Sequence, residues 1–313
     1  MTTPAASAAA FIRFPAMFAA AGVFALLHPA ARIGWRDFSV HWSTVIGIGA
    51  LWALYEWRAR VHRPGGAGGT GGASAVAQPG EVQVAQRAAF TGGLFVLFLS
   101  LNGPLHDLSD YYLFSAHMVQ HLVLALVVAP LLLVGTPGWM LRPALRVRWI
   151  AAPARRVTGA RAAFAIFNVV VAAWHVPELY NTAMAHHPVH IAQHLTMLVS
   201  ATLMWWPLLS PLPELPRLSY PGQMLYAFLM SIPMSIVAIY VALADHVLYP
   251  AYSAAPRLWG ITPLADQQIG GLIMWVPGGL FFFLVMSVVF YRWSRSGADD
   301  RAGAQVAAAG TAR

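Results

Sequence analysis

The chain has 313 residues, 58% hydrophobic and only 10% charged, with mean hydropathy +0.61 and a formal charge of +8. Soluble domains carry roughly a quarter charged residues, so this composition excludes an ordinary soluble fold, and the basic excess needs no nucleic acid to explain it. With twelve histidines, twelve methionines and no cysteine, disulfides, thiolate metal sites and cysteine nucleophiles are excluded as well.

In chain order, residues 1–34 form an N-terminal extension with a short apolar run, Phe14 to Leu27, that is brief for a membrane span. A bundle is expected from 35 to 293, beginning with a span over His41–Trp57. Residues 63–80 are rich in Gly, Ala and Pro and read as a flexible cytoplasmic linker. A span from about Arg87 to Leu101 leads into the polar stretch Asn102–Tyr112, and the next span covers Phe114 to Gly135. Arg142, Arg146, Arg148, Arg155, Arg156 and Arg161 crowd the following loop.

Further spans are expected over Ala162–His175, Val189–Leu209, Gly222–Ala244 and Asp266–Tyr291, with a disordered cytoplasmic tail at 294–313. The expected fold is therefore all-α, a polytopic transmembrane bundle of seven core spans plus the N-terminal apolar segment. Basic loops face the cytoplasm. That rule puts the 58–87 and 136–161 loops inside and the 102–113, 176–188 and 245–265 loops outside.

One pattern occurs twice. His117-Met118-Val119-Gln120-His121-Leu122 returns 73 positions later as His190-Ile191-Ala192-Gln193-His194-Leu195, with Pro104 and Pro177 at the same distance upstream. Histidines at i and i+4 share one helix face, so two such helices offer up to four imidazoles to one centre. Nine of the twelve histidines fall in or near the outer third of the membrane, and only His28, His41 and His62 stand apart. A polar group at the centre of a membrane helix costs about 2–3 kcal/mol, so such groups usually face the bundle interior and have a function.

Imidazoles suit Cu, Zn, Fe and Ni, and thioethers favour Cu(I). Met197 shares the helix face of His190 and His194 and is a further possible donor, though apolar filling also explains it. Gln120 and Gln193 suit hydrogen bonding to ligands better than ligation. Asp266, at the start of the last helix, is explained by helix capping alone. Three readings stand side by side at this point: a metal centre, a haem held by axial histidines, and a proton or ion path, the last weakened by the lack of mid-membrane carboxylates.

Four ordered motifs carry a family likeness: Ser115 to His121; Trp174-His175 with Pro177; His190 and His194; and Asp266-Gln267-Gln268 through Met274-Trp275. From about Trp35 to Trp293 the chain resembles the CtaG family of caa3-type cytochrome c oxidase assembly factors. The family has no expected apolar segment at the N-terminus, and an acidic residue is expected where this chain has His106.

The resemblance implies a non-enzymatic role in maturing a haem–copper oxidase in a bacterial inner membrane, with the histidines on the extracytoplasmic side. It implies delivery of copper or support of cofactor insertion. The mechanism the histidines favour is transient coordination of copper as Cu(I) and handover to an oxidase subunit, with periplasmic copper donors as further partners beside the bilayer. The expected ligands are His117, His121, His190 and His194, with His175 and His246 peripheral, and Met197, His106, His187 and Asp266 as further candidates. A haem-binding protein of the same pathway is the alternative, followed by a copper permease.

Overall fold

The computed structural model describes residues 39–62 and 81–311, with side chains described as far as residue 296. The expected N-terminal segment, His28 and the 63–80 linker lie outside the described residues. Among the described residues all regular structure is helical. The helices are α1 (Trp42–Val61), α2 (Val84–Ser100), α3 (Pro104–Tyr111), α4 (Phe114–Gly135), α5 (Gly138–Leu145), α6 (Arg148–Val157), α7 (Ala160–Trp174), α8 (Pro177–Ala185), α9 (His187–Leu209), α10 (Tyr220–Ala242) and α11 (Pro263–Thr311).

Three of these, α4, α10 and the Pro263–Ser296 part of α11, are long and apolar enough to cross a membrane. The count rises to five if the pairs α2–α3, bent by 43°, and α6–α7, bent by 79°, each form one span. The expectation of seven is not reached on length and composition. Helix α9 has the length, 23 residues, or about 35 Å at 1.5 Å per residue. Its first turns, however, carry His187, His190, Gln193 and His194, which lower its hydropathy. Helix α1 carries Glu56, Arg58 and Arg60 in its second half.

Three segments expected as loops are helical. Pro104 and Pro177 each sit at the first position of a short helix, α3 and α8. There the missing N–H is no loss and the fixed φ suits the helix. The arginine-rich connection folds into α5 and α6, the latter bent sharply against α7. Helix α11 starts one turn earlier than expected and continues past Tyr291.

Helix α4 lies at the centre, packed against α2, α3, α9 and α11. Its middle is a π-helical turn, Leu124–Val128, just after His121. Pro130 follows and has no N–H to give, and the carbonyl of Ala125 instead accepts the indole N–H of Trp205 on α9, at 2.8 Å. The main core joins Leu126 of α4, Phe167 of α7, Met204 and Trp205 of α9, Met230 of α10 and Phe282 of α11. Glycines set the closest approaches. A Cβ on Gly271 would lie 2.5 Å from the backbone nitrogen of Ala242, so α10 and α11 touch backbone to backbone.

Candidate metal centre

The starts of α4 and α9, the end of α7 and the short helices α3 and α8 meet at one end of the bundle. The two histidine pairs converge there. Ring centroids of His117 and His190 are 5.4 Å apart, and those of His121 and His194 are 5.6 Å apart. His117, His190 and His194 are buried and offer one ligating nitrogen each, all within 4.8 Å of one another. His121 adjoins them, its Nε2 lying 2.9 Å from Nε2 of His117.

The polar bookkeeping of this group is incomplete. His117 Nδ1, His121 Nδ1, His175 Nε2, His190 Nε2 and His194 Nε2 are buried and have no hydrogen-bond partner among the described residues. Buried polar atoms are nearly always paired, and a set of converging unpartnered imidazole nitrogens is what a metal ion would satisfy. In two of these rings the opposite nitrogen is held as metal-binding imidazoles usually are. His175 Nδ1 lies 2.7 Å from the carbonyl oxygen of Val171, to which it donates, leaving Nε2 as the lone-pair nitrogen. His190 Nδ1 faces Asp110 Oδ2 at 3.4 Å.

The cluster continues outward through residues that spacing alone did not place. His106 is buried, with Nε2 2.9 Å from His41 Nε2 and 3.5 Å from Asp110 Oδ2. His41 therefore does not stand apart, and it stacks at 5.9 Å on His187, which is exposed. A cleft of about 410 Å³ between α1, α2 and α9 is lined by His41, His106, His187, His190 and His194. From His187 through His41, His106 and His190 to His117, imidazoles run from solvent to full burial.

Gln120 is fully buried and holds this framework together. Its amide donates to the carbonyl of Ser100 at 2.6 Å, and its oxygen lies 2.9 Å from the hydroxyl of Ser109. Gln193, its counterpart in the second pair, is equally buried but has no partner on either amide atom among the described residues.

Other expected ligands lie elsewhere. The carboxylate of Asp266 accepts the backbone N–H groups of Phe114, at 2.6 Å, and Ser115, at 3.2 Å, and the Ser115 hydroxyl. It caps α4 rather than joining the imidazoles. His246 has a side chain 73% exposed and lies 2.7 Å from Asp245, whose carboxyl it holds below its ordinary pKa by hydrogen bonding. It stays outside the cluster, on the loop that roofs it. His62 lies against Trp139.

The roof is aromatic. Tyr249 stacks on Phe114 at 4.5 Å and donates to the carbonyl of His175, and the Tyr252 hydroxyl donates to the carbonyl of Ser109 at 2.7 Å. Since that proton is used, Tyr180 donates to the Tyr252 oxygen, 2.8 Å away. Burial pushes both phenols well above their ordinary pKa, so they remain donors.

Two uncharacterised mycobacterial proteins, from Mycobacterium bovis and Mycobacterium tuberculosis, are each 26% identical to the chain over 204 residues. The match covers 58% of this chain but only 30% of the length of either relative. No solved structure matches. The model of the cytochrome c oxidase caa3 assembly factor family, Caa3_CtaG, matches residues 69–296, which takes in α2 to α10, the whole roof and the apolar part of α11, and the chain belongs to that family.

Proposed function

We propose that this protein binds copper as Cu(I) at the buried imidazole cluster and hands it to a subunit of a haem–copper oxidase during assembly. It acts as a carrier and not as an enzyme, in a bacterial inner membrane, with α1 and α9 crossing beside the other spans and the histidine end on the extracytoplasmic side. The observation that carries the reading is the set of His117, His190 and His194, whose ligating atoms lie within 4.8 Å and whose rings each keep an unpartnered nitrogen. All-nitrogen donation without thiolate suits an ion that must leave again. The imidazoles of His106, His41 and His187 supply a stepwise path from the surface.

Periplasmic copper donors would load the site from the His187 end, and the oxidase subunit would take copper by the same cleft. Haem binding is the second reading, favoured by the size and apolar lining of that cleft.

The test is Cu(I) affinity of the purified protein under anaerobic conditions, compared with a His190→Ala/His194→Ala variant whose fold is checked by thermal melting. At least a tenfold loss of affinity is expected. Equal affinity in both proteins, or no copper in either, overturns the proposal, and a haem absorption spectrum in the purified wild type promotes the second reading.

A further inference from the structure

Directly beneath the imidazole cluster lies a small cavity of about 20 Å³, lined by His121, His175, Met197, Met234 and Met274 together with apolar side chains. A space of this size holds about one water or one ion. The five side chains of its wall that carry nitrogen or sulfur come from four helices and one helix end: His121 from α4, His175 from the end of α7, Met197 from α9, Met234 from α10 and Met274 from α11. The three methionines are buried, at 3%, 5% and 4% exposure. His121 Nδ1 and His175 Nε2 are among the buried nitrogens without a partner.

The structure assigns this cavity as a second Cu(I) site, a thioether chamber that receives the ion from the imidazole cluster through His121. The assignment rests on the copper reading for its cargo and shares His121 and His175 with the imidazole cluster, but its three methionines are separate. Methionine often fills a core simply because it is flexible. Filling, however, does not explain a hole left beside three buried methionines and against two imidazole rings that each keep an unpartnered nitrogen. Gly278 on α11 adds to this: a Cβ there would collide with the Met234 methyl group, so the bare glycine gives that side chain its place.

The donor set selects for oxidation state. Thioethers are soft and uncharged and favour Cu(I) over Zn(II) and Cu(II). A monovalent ion among neutral donors also carries the smaller desolvation cost in a buried, low-dielectric place. Transfer is ligand exchange without electron transfer: copper remains Cu(I) while imidazole nitrogens are replaced by sulfur. His121 is the shared donor, since its Nε2 lies 2.9 Å from His117 and its ring also lines the chamber.

The test is X-ray absorption at the copper edge of the full-length protein loaded anaerobically with Cu(I), with Zn(II) loading as a contrast. Wild type is expected to show copper–sulfur scattering, and Zn(II) nitrogen scattering only. A Met234→Leu/Met274→Leu variant keeps side-chain volume nearly constant and should lose the sulfur signal and at least tenfold in Cu(I) affinity, with Zn(II) binding unchanged. Met197→Leu serves as an independent variant should the double one melt at lower temperature. Copper bound on nitrogen alone in the wild type overturns the chamber and leaves the imidazole site standing. No bound copper at all overturns both.

Discussion

Asp266 shows how one side chain can fix a site without belonging to it. Its carboxylate takes up N–H groups at the start of α4, which a helix leaves without internal partners, and its negative charge complements the helix dipole. The residue thereby ties the start of α11 to the helix carrying His117 and His121. Replacing a capping side chain by alanine costs about 0.5–2 kcal/mol. We expect Asp266→Ala to lower the denaturation midpoint in detergent by that order, and Asp266→Asn, which keeps an acceptor oxygen, to recover part of it. Denaturation followed by tryptophan fluorescence would measure this, and equal stability of all three proteins would contradict the capping role.

At the same scale, the i and i+4 spacing makes both histidine pairs legible in the sequence by itself. Asp110 stands four residues after His106, and that spacing is a signal of the same kind. His41, Met234 and Met274 are not legible, because each lies on or at the start of a different helix and gains its meaning only from which helices are neighbours. His246 misleads for the opposite reason: it ends an apolar run but sits on an exposed loop beside Asp245.

Between elements, the decisive contacts are made by small residues. Gly135 ends α4 where a Cβ would run into the backbone of Phe90 on α2, and its carbonyl accepts the hydroxyl of Tyr55 from α1 at 2.8 Å. Tyr55 in turn stacks on Phe90 at 4.0 Å. One glycine thus lets three helices meet, and the cleft beside His41 depends on where α1 is held. Overpacking a tight contact costs about 1–3 kcal/mol. Gly135→Ala should therefore destabilise the protein by that amount, whereas Gly92→Ala, where the space is open, should be neutral or slightly stabilising in its helix. Paired thermal melts would decide, and similar melting of the two variants would argue against the close approach.

Hydropathy makes the apolar helices legible but not their boundaries or their number. Short helices opened by proline look like loops because they are polar. Helix α9 falls short as a candidate span because His190, Gln193 and His194, which turn toward the bundle interior, count against it as though they faced lipid.

At the scale of the whole molecule, the two histidine motifs belong to a larger repeat. Pro104 opens α3 and Pro177 opens α8; Phe114 begins α4 and His187 begins α9. Both pairs of starts are offset by the same 73 residues as the motifs, and α2 and α7 precede them at a similar offset. Three helices thus recur in the same order in each copy, and the imidazoles of both copies meet between them. Repeats in membrane proteins commonly place their binding site at such an interface. The copies have diverged where partners differ: Gln120 is fully bonded, while Gln193 is buried without a partner among the described residues.

The molecule is also polar from end to end. Most of the histidines, with Tyr180, Tyr249 and Tyr252, gather at one end, while Arg142 of α5, Arg146 just after it, and Arg148, Arg155 and Arg156 of α6, with Arg142 bound to Glu214 at 2.8 Å, gather at the other. Basic residues are retained on the cytoplasmic side, so the histidine end should face outward, where copper for an oxidase would be met before insertion. The absence of cysteine makes this directly measurable, because any single introduced thiol is the only one in the chain. Ala255→Cys, on the roof loop, should react in intact cells with a membrane-impermeant maleimide. Thr158→Cys, between α6 and α7, should react only after the membrane is opened. The reverse pattern would invert the protein and leave the cluster facing the cytoplasm. Loading from the outside would then be impossible, and the handover would have to draw on cytoplasmic copper instead.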